Sequence, residues 1–212
     1  MIEKYLTLFS KLRTDRGRDR YPAFTYHRAP HKPFLLLSIM DLIEQGQITS
    51  NLIEPSFDLA QTWNNYYSSI MFPGSPTSMA YPFSRLKKDG FWERLPKPGY
   101  DAETEYNIKS MNRFREIYYG AKMDDDLFRF MCDPETRERL RLVLIQTCFP
   151  PEVQPTLLEQ GRVNYEAYEY GKKLMADPEI QYGKDGKDKS RKARDQGFRK
   201  TIIMLYDYRC SL

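Results

Sequence analysis

The sequence predicts a mainly α protein with a small β-hairpin, and three observations carry that expectation. Apolar residues recur at helical spacing through most of the chain. Good N-cap residues, Ser56 and Asp133, stand directly before two of those runs. One short segment, Lys87 to Gly90, has turn chemistry between two apolar stretches.

The elements follow in order. Ile2, Tyr5, Leu6, Phe9 and Leu12 give an opening amphipathic helix. An arginine-rich loop leads to a strongly apolar helix over about residues 31–45, with Pro33 in its first turn and Gly46 at its C-cap. Residues 47–53 are short and partly β-branched. Ser56 then caps a third helix whose apolar face is Phe57, Leu59, Trp63, Tyr66, Tyr67 and Ile70. Residues 72–78 are a loop by composition. Residues 81–86 and 91–95 flank Lys87–Gly90 as the two strands of the hairpin, with Gly90 supplying a positive φ. Three helices followed by a hairpin is the order of a winged-helix module. The second half reads as helical: residues 124–131, a longer helix from Asp133 and Pro134 to Cys148 stopped by Pro150 and Pro151, and a tyrosine-rich amphipathic helix over 163–175. The expected organisation is a winged-helix-like module over 1–100, a helical region over 101–180 packed on it, a charged linker over 181–190, and a basic helix over 191–212 that opens a further domain.

Composition narrows the function classes. The 212 residues are 41% hydrophobic and 29% charged, which fits a globular chain of one large or two small domains. No apolar run is long enough to span a bilayer, and the start lacks the layout of a signal peptide, so the expected location is cytoplasmic. Cys132, Cys148 and Cys210 are too scattered for a disulfide framework, and Cys132 and Cys148 read as core fillers on helix faces. The net charge of +4 is modest, but it is unevenly spread. Residues 11–32 hold seven Lys/Arg against Asp15 and Asp19, and residues 184–200 hold eight Lys/Arg against three Asp. Two basic segments in a balanced chain point to an anionic polymer, although each also fits a solvated loop.

Self-contained catalysis is not expected. Both histidines, His27 and His31, lie in one stretch, and none follows. There is no Gly-rich phosphate loop, no H-E-x-x-H and no paired C-x-x-C. Asp124, Asp125 and Asp126 read as helix-start acids rather than metal ligands. The stretch around His31 instead joins a basic loop to a helix N-terminus, a ready anion site to which Arg28, His31 and Lys32 would add donors. His27 and His31 are equally compatible with capping that helix. Tyr81 and Pro82, beside basic residues, could form an apolar dent suited to a weakly hydrated phosphate substituent such as sulfur, or simply pack in the core with Phe83.

At these residues the sequence resembles a known family. Arg28-Ala-Pro-His-Lys-Pro-Phe-Leu-Leu-Leu37, followed by Tyr81-Pro-Phe-Ser-Arg-Leu-Lys-Lys-Asp-Gly-Phe-Trp92, is similar to the N-terminal module of bacterial HNH-type restriction endonucleases. That module resembles the sulfur-binding domain of McrA-type, modification-dependent (type IV) enzymes, which read phosphorothioate DNA. Residues 198–212 look like the lead-in to the HNH nuclease, and the chain ends two residues after Cys210. The resemblance therefore implies a recognition region without its nuclease, whose zinc and catalytic divalent metal belong to the missing domain. It implies double-stranded, modified DNA as partner, with a homodimer as a further candidate assembly. It places Arg18, Arg20, His27, Arg28, His31, Lys32, Arg85, Lys87 and Lys88 at the DNA, and Tyr81, Pro82 and Ser84 in the modification pocket. The family completes that pocket with a small residue, where this chain offers Ser84 or Arg85. An arginine there would narrow the pocket or replace it with a phosphate contact, which leaves methylated or hydroxymethylated cytosine as the alternative mark. A winged-helix transcription regulator, or a module whose basic loops bind an acidic protein, are the readings from other classes.

Overall fold

A computed structural model describes residues 2–72, 78–101, 108–176 and 190–205. It is mainly helical with one two-stranded antiparallel sheet, and it divides into two compact units, Met1–Leu157 and Leu158–Leu212.

The first unit is organised around α2 (His31–Glu44), which follows α1 (Glu3–Ser10) and the arginine-rich loop. Every residue of α2 from Lys32 to Ile43 is buried, so apolar residues occur on all its faces, and its buried polar groups, Lys32, Ser38 and Asp41, all have partners. Gly46, at φ 69°, ends it, and the Gln47 N–H closes the turn onto the Leu42 carbonyl at 2.9 Å. α3 (Phe57–Ile70) packs on α2 and starts where the Ser56 hydroxyl accepts the Leu59 N–H at 3.1 Å. Two further helices come after the sheet: α6 (Asp125–Cys132), and α7 (Pro134–Cys148), which is capped by Asp133 and has Pro134 in its first turn. Both pack on α2, and α7 also covers α1.

The expected hairpin is not present. Residues Ala80–Arg85 form a short helix, α4, followed by a 3₁₀ turn over Leu86–Asp89 that ends at Gly90, φ 85°. Pro82 explains the difference: it lacks the N–H a strand ladder needs but is tolerated in a first helical turn. Phe83 and Leu86, three apart, are both buried, which is a helical and not an alternating pattern. Strand β1 (Trp92–Pro96) forms as expected, but its partner is β2 (Tyr118–Met123), with Trp92 opposite Met123 and Leu95 opposite Gly120. The first unit therefore continues past residue 100, the end expected for the N-terminal module. The reading of the second half as wholly helical is corrected by β2, which follows α5 (Met111–Ile117).

The outer edge of β2 is also paired. Ile53 and Ala121 exchange two backbone hydrogen bonds at 2.7 and 3.0 Å. Beyond them, the Asn51 side-chain amide donates to the Met123 carbonyl (2.7 Å) and accepts from the Met123 N–H (3.0 Å), extending the ladder with a side chain. This close approach requires Gly120, because a Cβ there would lie 2.4 Å from the Ile53 carbonyl oxygen. Cys132 is exposed and Cys148 half-buried, so the expectation of two core cysteines is corrected for Cys132.

In the second unit, α8 (Gln154–Ala176, which begins in the first unit) pairs with α9 (Arg191–Leu205), the expected basic helix. The two helices meet through small residues: a Cβ on Gly197 would stand 2.5 Å from the Ala167 carbonyl oxygen. Buried Gln160 donates to Asn164 at 2.8 Å and accepts from Lys192 at 2.6 Å. The expected linker at 181–190 and Cys210 lie outside the described residues, apart from Ser190. Among the described residues, no helix is long and apolar enough to cross a membrane.

The packing at Gly120 gives a first prediction. Gly120→Ala should lower unfolding stability by about 1–3 kcal/mol, as overpacking against rigid backbone does. Urea denaturation checks this; an unchanged midpoint would mean that the 51–54 segment yields freely.

Candidate nucleic-acid interface

The loop between α1 and α2 is held in shape by its own polar groups. The Gly17 N–H bonds to the His27 carbonyl (3.0 Å) and the Ala29 N–H to the Asp15 carbonyl (2.8 Å). Asp15 organises the outer part. Its carboxylate accepts from Arg20 at 2.6 Å and from the Tyr21 hydroxyl at 3.2 Å. Tyr26 and His27 both take left-handed backbone, φ 52° and 54°, which turns the chain back toward α2. The His27 ring approaches the Tyr21 carbonyl at 2.8 Å. A carbonyl only accepts, so Nδ1 carries the proton and His27 staples the loop.

Lys32 ties this loop to the rest of the unit. Its ammonium donates to the Arg13 carbonyl (2.7 Å) and pairs with Asp89 (2.5 Å), with both side chains buried. Asp89 also accepts the Arg13 N–H at 2.9 Å. Burial pushes the Lys32 pKa down, while the bond and charge of Asp89 oppose that shift. The expectation of Lys32 as an open phosphate donor is thus replaced by a buried structural ion pair.

Between this loop, the start of α2, the end of α3 and α4 lies a cleft of about 800 Å³. Of the residues expected at the DNA or in the pocket, it brings together Arg20, His31, Lys32, Tyr81, Pro82, Arg85 and Lys88. It adds Arg13, Asp15, Tyr21, Tyr67 and Met71, which were not among the expected site residues. Five cationic side chains and one carboxylate thus share a lining with tyrosines, Pro82 and Met71. Arg28 lies elsewhere, lining a small crevice with Thr147 and Cys148. Arg18, His27, Lys87 and Ser84 are not part of the cleft lining. Ser84 is buried on α4, and Arg85, four residues after Tyr81, takes the place on the cleft side. The Arg85 guanidinium sits 5.4 Å from the Tyr81 ring centre.

His31 opens α2 without capping it: the cap position is Pro30, and no side chain accepts there. Its carbonyl accepts from the Trp63 indole at 3.1 Å. Its ring packs among Tyr21 (6.3 Å between centres), Trp63 (6.0 Å) and Tyr67 (5.8 Å). Burial, helped by Arg85 and opposed by Asp15, brings its pKa down to about 4. The imidazole is therefore neutral near pH 7 and contributes a hydrogen-bonding edge to the cleft, not a positive charge.

The acids at the start of α6 line a separate cleft of about 650 Å³ with Lys4, Tyr5, Glu93 and Lys122. Asp124 accepts from Lys4 (2.9 Å) and Tyr5 (3.0 Å), and Glu93 pairs with Lys122 (3.1 Å). Among the described residues there is no group of three or more His, Cys, Asp or Glu that could hold a metal ion. No protein-family model and no curated protein matches the chain.

Two predictions follow from this geometry. Asp89→Ala leaves the Lys32 ammonium buried and uncompensated, and should cost about 3–5 kcal/mol in urea denaturation. Replacing both partners, with Lys32→Met and Asp89→Leu, should recover most of that loss. For His31, an unfolded chain protonates near pH 6.5 while the folded chain resists until about 4. Stability should therefore fall as pH drops through that window, by up to about 3 kcal/mol. His31→Gln should remove that part of the acid dependence, and equal pH slopes in the two proteins would refute the assignment.

Proposed function

We propose that this chain binds duplex DNA carrying a modified backbone, with a phosphorothioate as the preferred mark, as the recognition part of a modification-dependent HNH endonuclease. One observation carries the reading: Arg20, Arg85 and Lys88 share a single cleft with Tyr81, Pro82 and Met71. Phosphate oxygens are drawn by the cations and gain little from apolar walls. A sulfur in place of one oxygen is less hydrated and loses less when it is pressed against such walls. The sequence resemblance names the same Tyr-Pro pair.

Arg85 favours a second reading. Its guanidinium over Tyr81 covers part of the apolar wall where the resembled family has a small residue. A methylated or hydroxymethylated cytosine, recognised by its base, is less dependent on that wall.

The test compares affinities of the chain for matched duplexes that are unmodified, carry a phosphorothioate of either stereochemistry, or carry modified cytosine. About tenfold preference for one phosphorothioate diastereomer is expected, a difference of ~1.4 kcal/mol. Equal affinity for all duplexes would leave a transcription-regulator reading, and absence of binding at low salt a protein-interaction module. Arg20→Ala should weaken binding to every duplex and reduce the salt slope by about one. Tyr81→Ala should chiefly erase the preference.

A further inference from the structure

We propose that the cleft receives one whole nucleotide lifted out of the DNA stack, with its base held between the tyrosines and its phosphate at the cationic mouth. This rests on the DNA-binding reading above and specifies what enters the site.

Size is the first argument. The half-open cleft of about 800 Å³ is in the size range of small-molecule sites, roughly 300–1,000 Å³. A single sulfur atom fills a small part of it, whereas a base with its sugar and phosphate fills it well. A base inside an intact duplex cannot reach such a recess, so the nucleotide must leave the stack.

The lining is the second argument. Tyr21 and Tyr81 present aromatic surface, with Tyr67 buried behind them against Trp63 and His31, and single bases stack on such side chains whatever their identity. The planar guanidinium of Arg85, 5.4 Å from the Tyr81 ring centre, is a further stacking surface beside it. Two groups then suit the edge of a base. The His31 imidazole, neutral near pH 7, offers one N–H and one lone pair. The Asp15 carboxylate, the one anion of the lining, is an acceptor suited to an exocyclic amino group such as that of cytosine. Asp15 also organises the loop, accepting the Arg16 N–H at 3.0 Å, and beside a backbone phosphate alone it would repel. Here its partners Arg20 and Tyr21 hold it in position at 2.6 and 3.2 Å.

The experiment uses the full chain and duplexes carrying the mark preferred in the comparison above, either fully matched or with one mismatch at the marked step. A mismatch lowers the cost of unpairing, so a protein that extracts the base should bind the mismatched duplex about tenfold more tightly. A 2-aminopurine placed next to the marked step should brighten on binding, as its neighbour leaves the stack. Tyr21→Ala should abolish both effects and Tyr21→Phe should retain them, with thermal melts confirming that each variant is folded. Equal affinity for the two duplexes with no fluorescence change would overturn this inference and leave DNA binding intact. Failure to bind any duplex at low salt would overturn both.

Discussion

The buried ion pair between Lys32 and Asp89 is the contact on which the cleft depends. Three segments distant in sequence meet there: the start of the basic loop at Arg13, the first turn of α2, and the 3₁₀ turn after α4. Charges removed from water are costly unless paired and hydrogen-bonded, so this arrangement tolerates few alternatives. Because Asp89 holds both the Lys32 ammonium and the Arg13 N–H, the loop cannot shift relative to α4 without exposing a charge to an apolar surrounding. The distance between the Asp15–Tyr21 wall and the Tyr81–Arg85 wall is thereby set from beneath.

A second buried network fixes the other end of α2. Arg141 of α7 pairs with Asp41 at 2.7 Å and with Glu44 and Glu138 at 3.2 Å, and reaches the Tyr66 hydroxyl at 3.4 Å. The carboxylates around it raise the Arg141 pKa further above its ordinary range despite burial, so it is charged at every accessible pH. With α2 anchored to α7 and α3 at one end and to the loop at the other, its first turn has a fixed position against Trp63 and Tyr67. That position half-buries His31, and the desolvation keeps it neutral near pH 7. The charge of the cleft is therefore set by its arginines and lysines and by Asp15, with no contribution from the histidine.

Much of the fold was legible because local chemistry decided it. Ser56 and Asp133 cap the helices expected of them, Gly46 takes the positive φ, and the uninterrupted apolar run after Pro33 is the central helix. The misread elements depend on partners far away in sequence. Residues 81–86 looked like a strand because Gly90 suggested a turn, yet the stop it provides is for a 3₁₀ turn, and Pro82 carried the contrary signal. Strand β2 went unseen because its pairing is with residues 92–96 and 53, and Gly120 reads as a strand residue only once Ile53 is beside it. Of the residues that line the cleft, Arg20, His31, Tyr81, Pro82, Arg85 and Lys88 are ones the sequence singles out. The Lys32 ion pair was not legible because nothing in its neighbourhood reveals Asp89, which is 57 positions away. Tyr67 and Met71 were missed because residues four apart on an apolar helix face look like core.

The charge inventory also limits how the cleft can discriminate. Lys32 is committed to Asp89, and Arg20 shares its charge with Asp15, so few full positive charges face a bound polyanion. Proteins that bind DNA mainly through phosphates spread about 6–10 such contacts along the duplex and lose affinity steeply with salt. On the DNA-binding reading, this cleft has too few cations to work in that manner. Its electrostatic contribution brings a duplex to the surface and orients it. The larger difference between one ligand and another has to come from what fits against Tyr21, Tyr67, Tyr81, Pro82 and Met71. A surface built only for affinity would have left Asp15 out and His31 exposed. On that reading, a held carboxylate and a half-buried neutral imidazole beside tyrosines suit discrimination between ligands more than bulk affinity.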